Sequence, residues 1–255
     1  MFPLNKIFFC GTGAADYSKP VEGEEFRKYT HTLVNDEILI DMGANAYLYE
    51  DPAALKERFS GVKNVFITHT HGDHFSQDNL ARLAADNGGI KVYVDAEAIP
   101  SLAENDLITY MPVKTGGTYH TDNGYTLHVF SSNHTSYNHH FVIDLPDGKE
   151  LYYGLDGAWI MNDVGNYLRK HPADLVIIDC TLGRIHGDSR IFEHNSVFMI
   201  EEMLHTMRNC KMIKETTRIF ADHLAKTLHP AHKEVVADLA TLGMEVACDG
   251  LCIEF

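Results

Sequence analysis

The sequence contains no apolar run that approaches the roughly 18 residues of a transmembrane helix, so we expect no membrane-spanning segment. Its first residues lack the basic and then apolar pattern of a signal peptide. The five cysteines are scattered, odd in number and without a CxxC pair, which argues against a disulfide framework. Together these absences favour a cytoplasmic protein in a reducing compartment.

Positive charge is also scarce. Lysine and arginine number 21 against 36 aspartates and glutamates, which gives a formal net charge of −15. Affinity for nucleic acid depends on lysines and arginines that neutralise phosphates, so this balance disfavours a nucleic-acid partner. A small anionic substrate stays compatible with it, because bound metal ions set the local field in a site.

Histidine, by contrast, is abundant, with 16 copies, and four potential metal ligands fall within six residues from His69 to His74, in the order HTHGDH. The apolar run at 65–67 before them is typical of a buried strand. In an extended chain, residues 69, 71 and 73 project to one side. Gly72 then allows a turn that brings in His74. With Ser76 as a helix cap, the sequence predicts a strand, a ligand-bearing loop and a helix.

Hydrophobic patterning predicts strands and helices in two halves of similar content, and two sheets with helices outside them suit this order. The polar stretch at 14–28 is expected to be a surface loop and a candidate lid. The predicted strands cover residues 4–10, 31–35, 37–41, 65–68, 90–94, 139–145, 149–155, 173–178 and 217–221, with short strands across 107–131 and a final pair near 244–254. The predicted helices cover 52–59, 95–104, 163–170, 196–209 and 230–242, besides the helix after Ser76.

Three further polar residues each follow a predicted apolar strand. They are His134, Asp156 and His223, and they stand where the ends of strands present functional groups. Asp41 closes another apolar run, where it could cap the local backbone or orient a ligand histidine. These residues join the loop as candidates for one site.

The ordered set of HTHGDH, then His134, Asp156 and His223, resembles the metallo-β-lactamase superfamily, and the resemblance runs through most of the chain. It implies an α/β fold, the four-layer αββα sandwich, formed by residues 1–255 as one domain with two metal ions. It implies that His69, His71 and His134 hold the first ion. The second ion would be held by Asp73, His74 and His223, with Asp156 bridging both. Such a pair, about 3.5–4 Å apart, holds a shared hydroxide, which Asp73 could orient. Nitrogen and oxygen ligands suit zinc, manganese or iron.

His194 precedes a predicted helix and follows a strand that ends near Asp179. This arrangement resembles the phosphodiesterase branch of the superfamily, which includes RNase Z and phosphoribosyl cyclic phosphodiesterase. The resemblance implies that His194 is a catalytic proton donor near the leaving group and that Asp179 supports it. The short span from His134 to Asp156 has no room for a protruding tRNA-clamping arm. A small or cyclic phosphodiester is therefore the expected substrate.

Several alternatives stay open. Aspartate at 156 disfavours the zinc β-lactamases, and histidine at 71 disfavours the oxygen-reducing di-iron branch, but glyoxalase II and lactonases share the ligand set. A thioester or lactone hydrolase is thus the second hypothesis, and a non-catalytic metal or ligand sensor is the third. A homodimer is also possible. His186 is a weaker competitor for the role of His194. Structural or surface roles are the default for the other histidines, among them His31, His229 and His232.

Overall fold

The computed structural model describes residues 4–134 and 137–255. The chain divides into two compact units, one made of residues 4–114 with 248–254 and one made of residues 115–247. Each unit is built on one seven-stranded sheet, so the prediction of two sheets is confirmed. No helix in the described ranges is long and apolar enough to span a lipid bilayer.

The first unit has a mixed sheet and two helices. Its strands are β1 (Lys6–Gly11), β2 (His31–Val34), β3 (Ile38–Ile40), β4 (Asn64–Phe66), β5 (Ile90–Asp95), β6 (Ile108–Val113) and β14 (Cys252–Glu254), and its helices are α1 (Pro52–Arg58) and α2 (Gln77–Asn87). The strand order is β14-β1-β2-β3-β4-β5-β6, antiparallel from β14 to β3 and parallel from β3 to β6. At the edge, β14 covers β1, with Ile7 opposite Ile253.

Local sequence explains the elements that border the ligand-bearing loop. The hairpin between β2 and β3 turns at Asn35 and Asp36, whose φ angles of 52° and 59° suit a type I′ turn. The side chain of Ser76 caps α2 by accepting a hydrogen bond from the backbone N–H of Asn79. Gly88 ends the helix in the left-handed conformation. Leu80, Leu83 and Ala84 pack into the apolar core of this unit, so α2 holds one end of the loop in place.

The second unit also has a mixed sheet. Its strands are β7 (Thr118–His120), β8 (Thr126–Ser131), β9 (His139–Asp144), β10 (Glu150–Gly154), β11 (Ala173–Asp179), β12 (Ile213–Asp222) and β13 (Glu245–Val246), and its helices are α3 (Asn162–Leu168), α4 (Val197–Asn209) and α5 (His232–Ala240). The order is β13-β12-β11-β10-β9-β8-β7, antiparallel from β7 to β10 and parallel from β10 to β13. A turn at 146–148 joins β9 to β10, with Gly148 at a φ of 85°.

Two predictions about secondary structure are wrong. The helix expected at 95–104 is only a short 3₁₀ turn, Ile99–Ser101, because Pro100 lacks the N–H that a longer helix would need. The final strands do not pair with each other. Instead β13 pairs with β12 and β14 pairs with β1, so they belong to different sheets. Hydrophobic patterning identified both strands, but the strand with which each one pairs depends on contacts between residues distant in the sequence.

Candidate functional site

The first cluster of candidate ligands lies on the loop between β4 and α2 and consists of His69, His71, Asp73 and His74. The ring centroid of His69 is 4.5 Å from that of His71 and 4.4 Å from that of His74. The Nε2 atom of His74 lies 3.8 Å from a carboxylate oxygen of Asp73. Three imidazoles and one carboxylate therefore share a small volume, as the spacing predicts, and this donor set fits a divalent transition metal.

Asp41 holds this loop at both ends. One carboxylate oxygen accepts hydrogen bonds from the backbone N–H and the hydroxyl of Thr68, at 2.8 and 3.0 Å. The other oxygen lies 2.8 Å from Nδ1 of His74. If Nδ1 donates that bond, Nε2 of His74 keeps its lone pair for a metal. Burial raises the pKa of the Asp41 carboxyl, and the neighbouring His74 offsets only part of the rise.

Glycine at position 43 lets the loop lie directly on the chain after β3. The backbone N–H of Met42 donates to the carbonyl of His74, at 2.7 Å. A Cβ atom on Gly43 would collide with the carbonyl oxygen of Asp73. The loop is thus fixed by main-chain contacts as well as by Asp41.

The second cluster lies in the second unit and consists of His134, Asp156, Asp179, His194 and His223. Asp156, Asp179 and His223 stand at the carboxyl ends of the neighbouring parallel strands β10, β11 and β12. These strands are in register there, because Gly154 pairs with Ile178, which pairs with Ala221. Parallel strands in register end at one edge of the sheet, so residues that follow them meet there. This register explains why candidate residues that follow different strands in the sequence lie close together in the structure.

Asp156 contacts imidazoles through both of its carboxylate oxygens. Oδ1 lies 3.0 Å from Nδ1 of His223 and 3.5 Å from Nδ1 of His194. Oδ2 lies 3.7 Å from Nε2 of His134. Ligand atoms of Asp156, Asp179, His194 and His223 all lie within 4.8 Å of one another. A carboxylate among imidazoles is again a donor set that fits divalent cations.

Asp179 and Thr181 organise the imidazoles of this cluster. Oδ2 of Asp179 lies 3.1 Å from Nδ1 of His194 and accepts from the hydroxyl of Thr181 at 2.8 Å. Burial alone would raise the pKa of the Asp179 carboxyl, but His194 and His223 outweigh it and hold that pKa below its usual range. Burial lowers the pKa of His194, and Asp179 reverses the sign, so the net shift is upward.

Sequence reasoning missed two residues that support the second cluster. The hydroxyl of Thr181 lies 2.8 Å from Nδ1 of His223. The side chain of Asn195 donates to the carbonyl of Gly157 at 3.0 Å, and its backbone N–H donates to Asp179 at 2.8 Å. The only signal in the sequence is that each lies within two residues of a candidate, Asp179 or His194.

His186, the weaker competitor of His194, and the histidines expected to be structural or on the surface lie outside both clusters. His31 is buried with Nδ1 at 2.8 Å from the carbonyl oxygen of Tyr29. His186 is exposed and stacks on Phe198. Nε2 of His229 lies 2.7 Å from the carbonyl oxygen of Cys180, and His232 begins α5.

The same fold occurs in solved structures whose sequences differ strongly from this one. A diphosphatase of the PhnP family matches with a TM-score of 0.75 at 17% identity, over 100% of this chain and 98% of that one. Zn²⁺-bound PqqB from Methylobacterium extorquens matches with a TM-score of 0.73 at 16% identity, over 98% and 100%. The short form of human tRNase Z matches with a TM-score of 0.63 at 18% identity, over 97% and 98%.

These likenesses confirm the predicted metallo-β-lactamase fold. Comparison with the sequences of curated proteins gives no match. A family model described as the β-lactamase superfamily domain matches residues 36–242. The chain therefore belongs to the β-lactamase superfamily of metal-dependent hydrolases.

Proposed function

We propose that this protein hydrolyses small phosphodiesters with the help of two divalent cations. The observation that carries the proposal is His194, an imidazole beyond the superfamily's ligand pattern whose Nδ1 lies 3.1 Å from the buried carboxylate of Asp179. A histidine held in this way leaves Nε2 as the nitrogen that can exchange a proton with a substrate.

The residues that would hold the ions follow the superfamily's ordered pattern. One ion would be held by His69, His71 and His134, and the other by Asp73, His74 and His223. Asp156 would serve both, which its two oxygens on different imidazoles support. Zinc, manganese or iron suits these donors. When bound, the cations would supply Lewis acidity and lower the pKa of water from about 15.7 toward about 7.

The leaving group separates a phosphodiesterase from a thioesterase on this site. An alkoxide leaves readily only if it receives a proton as its bond breaks, and we assign that proton to Nε2 of His194. A thiolate, whose thiol has a pKa of about 8.5, leaves without such a donor. Asp179 keeps the imidazole oriented for the transfer, and Asp73 would orient the attacking water.

The size and charge of the substrate are inferred from the surroundings of the second cluster. Between His134 and Asp156 the described residues form the β9–β10 hairpin with its three-residue turn at 146–148. The net charge of −15 disfavours a polyanion. We therefore propose a small or cyclic phosphodiester rather than a nucleic acid, and a cytoplasmic setting from the scattered cysteines.

A leaving-group series tests this function. Protein of measured metal content is given phosphodiesters with aryl and alkyl leaving groups, a thioester and a lactone. We expect His194→Ala to reduce kcat by about 10²–10⁴-fold on alkyl esters and much less on p-nitrophenyl esters, which need little protonation. His186→Ala is the matched control, since that exposed histidine stacks on Phe198 and belongs to neither ligand cluster.

Two outcomes would overturn the proposal. The first is faster turnover of the thioester or the lactone than of every phosphodiester. The second is an equal loss on aryl and alkyl esters in His194→Ala, which would leave no proton-donor role for this residue. A protein that binds metal and hydrolyses no member of the series would instead fit a sensor.

A further inference from the structure

The turn that presents Asp156 has an unfavourable backbone conformation. Asp156 has a φ of 49°, in the left-handed region that residues other than glycine adopt infrequently, although aspartate enters it more often than most. Holding a residue there has a conformational cost and requires contacts from the surrounding structure. Its carbonyl oxygen is where several of those contacts converge.

Three buried or half-buried side chains form a line of hydrogen bonds that ends on this carbonyl. The phenol oxygen of Tyr152 lies 2.9 Å from Nδ1 of His140. Nε2 of His140 lies 3.2 Å from the hydroxyl oxygen of Ser132. That hydroxyl donates to the carbonyl oxygen of Asp156 at 2.7 Å. None of the three belongs to either ligand cluster.

Each hydrogen bond in this line has a defined donor, and all of them donate toward the carbonyl oxygen of Asp156. Ser132 has a single hydroxyl proton, which it donates to Asp156, so its oxygen must accept from His140. Nε2 of His140 therefore carries a proton. In a neutral imidazole Nδ1 is then the acceptor, and the phenol of Tyr152 is its donor. Burial lowers the pKa of His140 to about 4, consistent with the neutral form.

The packing around the turn shows that these groups are fitted closely to it. A Cβ atom on Gly157 would collide with the hydroxyl of Ser132 and with Nε2 of His140. The side chain of Asn138 donates both to the hydroxyl oxygen of Ser132, at 3.0 Å, and to the carbonyl of Asp156. Both lone pairs of the serine oxygen and its proton are thus in use.

We propose that Tyr152, His140 and Ser132 are a positioning relay that sets the backbone of Asp156 and so directs its carboxylate at the imidazoles of the second cluster. This inference rests on the proposed function in taking Asp156 as a metal ligand. The relay acts through the main chain and contacts no reacting atom, so its members are positioning residues.

Affinity for Zn²⁺, measured by competition with a chromophoric chelator, tests the relay without any substrate. Ser132→Ala and Tyr152→Phe should each weaken Zn²⁺ binding by about 10–100-fold, the usual effect of losing a group that orients a ligand. Tyr153→Phe is the matched control, because it removes a buried phenol from the adjacent position of β10, on the opposite face of the sheet. It should bind Zn²⁺ as the wild type does.

Histidine ¹⁵N spectra of the wild-type protein provide a second test that survives a variant failing to fold. We expect the His140 signals, assigned by through-bond correlation from its own backbone to its ring in the wild-type protein, to show a neutral ring protonated at Nε2 at neutral pH. A proton on Nδ1, a cationic ring, or wild-type Zn²⁺ affinity in both relay variants would overturn the relay. Metal binding that depends on the relay, without turnover of any phosphodiester, would reject the proposed function and keep the relay.

Discussion

The imidazole of His31 should make the stability of this protein fall as the pH drops below neutrality. His31 is fully buried in β2, and its Nδ1 lies 2.8 Å from the carbonyl oxygen of Tyr29, so Nδ1 must be the donor. Burial, together with the positive charges of Lys28 and Arg58, lowers the pKa of His31 to about 3. In the unfolded chain the pKa of a histidine is about 6.5.

The size of the effect follows from these two pKa values. Between them the unfolded chain binds a proton that the folded chain does not, so the free energy of unfolding decreases as the pH decreases. From about pH 7 to about pH 5 the decrease due to His31 alone is about 2 kcal/mol. That is a large part of the stability of an ordinary domain, about 5–15 kcal/mol.

Urea unfolding at several pH values measures this contribution. In His31→Asn the amide can still donate to Tyr29 but does not titrate, so its free energy of unfolding should change by about 2 kcal/mol less than that of the wild type over this range. Phe59→Leu is the control, since it disturbs the ring next to His31, with centroids 6.3 Å apart, and keeps the titrating group. Parallel curves for the wild type and His31→Asn would refute the reasoning.

Three further predictions concern the loop of the first cluster and its helix. Asp41→Asn should weaken Zn²⁺ binding by about 10–100-fold, because one amide oxygen replaces the two oxygens that hold the ends of the loop; equal affinity in a chelator competition would contradict this. Gly43→Ala should lower both the Tm and the Zn²⁺ content, since its Cβ would collide with the carbonyl oxygen of Asp73. Calorimetry and metal analysis measure the two quantities, and wild-type values of both would contradict the prediction. Gly88→Ala should lower the free energy of unfolding by about 1–2 kcal/mol, because alanine is strained at the φ of 65° that ends α2, and should leave the Zn²⁺ content as in the wild type.

The elements nearest the first cluster could be predicted from sequence because their determinants are local. The turn at Asn35 and Asp36 and the cap at Ser76 depend on residues within a few positions of each other. The helix expected at 95–104 failed for an equally local reason, Pro100, whose effect outweighed the helical pattern around it. The partner of β14 could not be predicted, because β1 lies at the opposite end of the chain.

The candidate ligands were recognisable from residue type and order, but the groups that hold them were not. Thr181 and His223 are in contact although 42 positions separate them. Tyr152 reaches His140 only because β9 and β10 lie side by side in the sheet. Such contacts depend on strand register and side-chain direction, which composition and spacing leave open.

The covering of β1 by β14 has a consequence for the synthesis of this protein on the ribosome. One edge of β1 stays open until residues 252–254 emerge, roughly 10–50 seconds after β1 at a translation rate of about 5–20 residues per second. All the strands of the second sheet emerge before that moment. An uncovered strand edge can pair with another chain, so nascent copies on one messenger RNA are exposed to mutual aggregation throughout this interval.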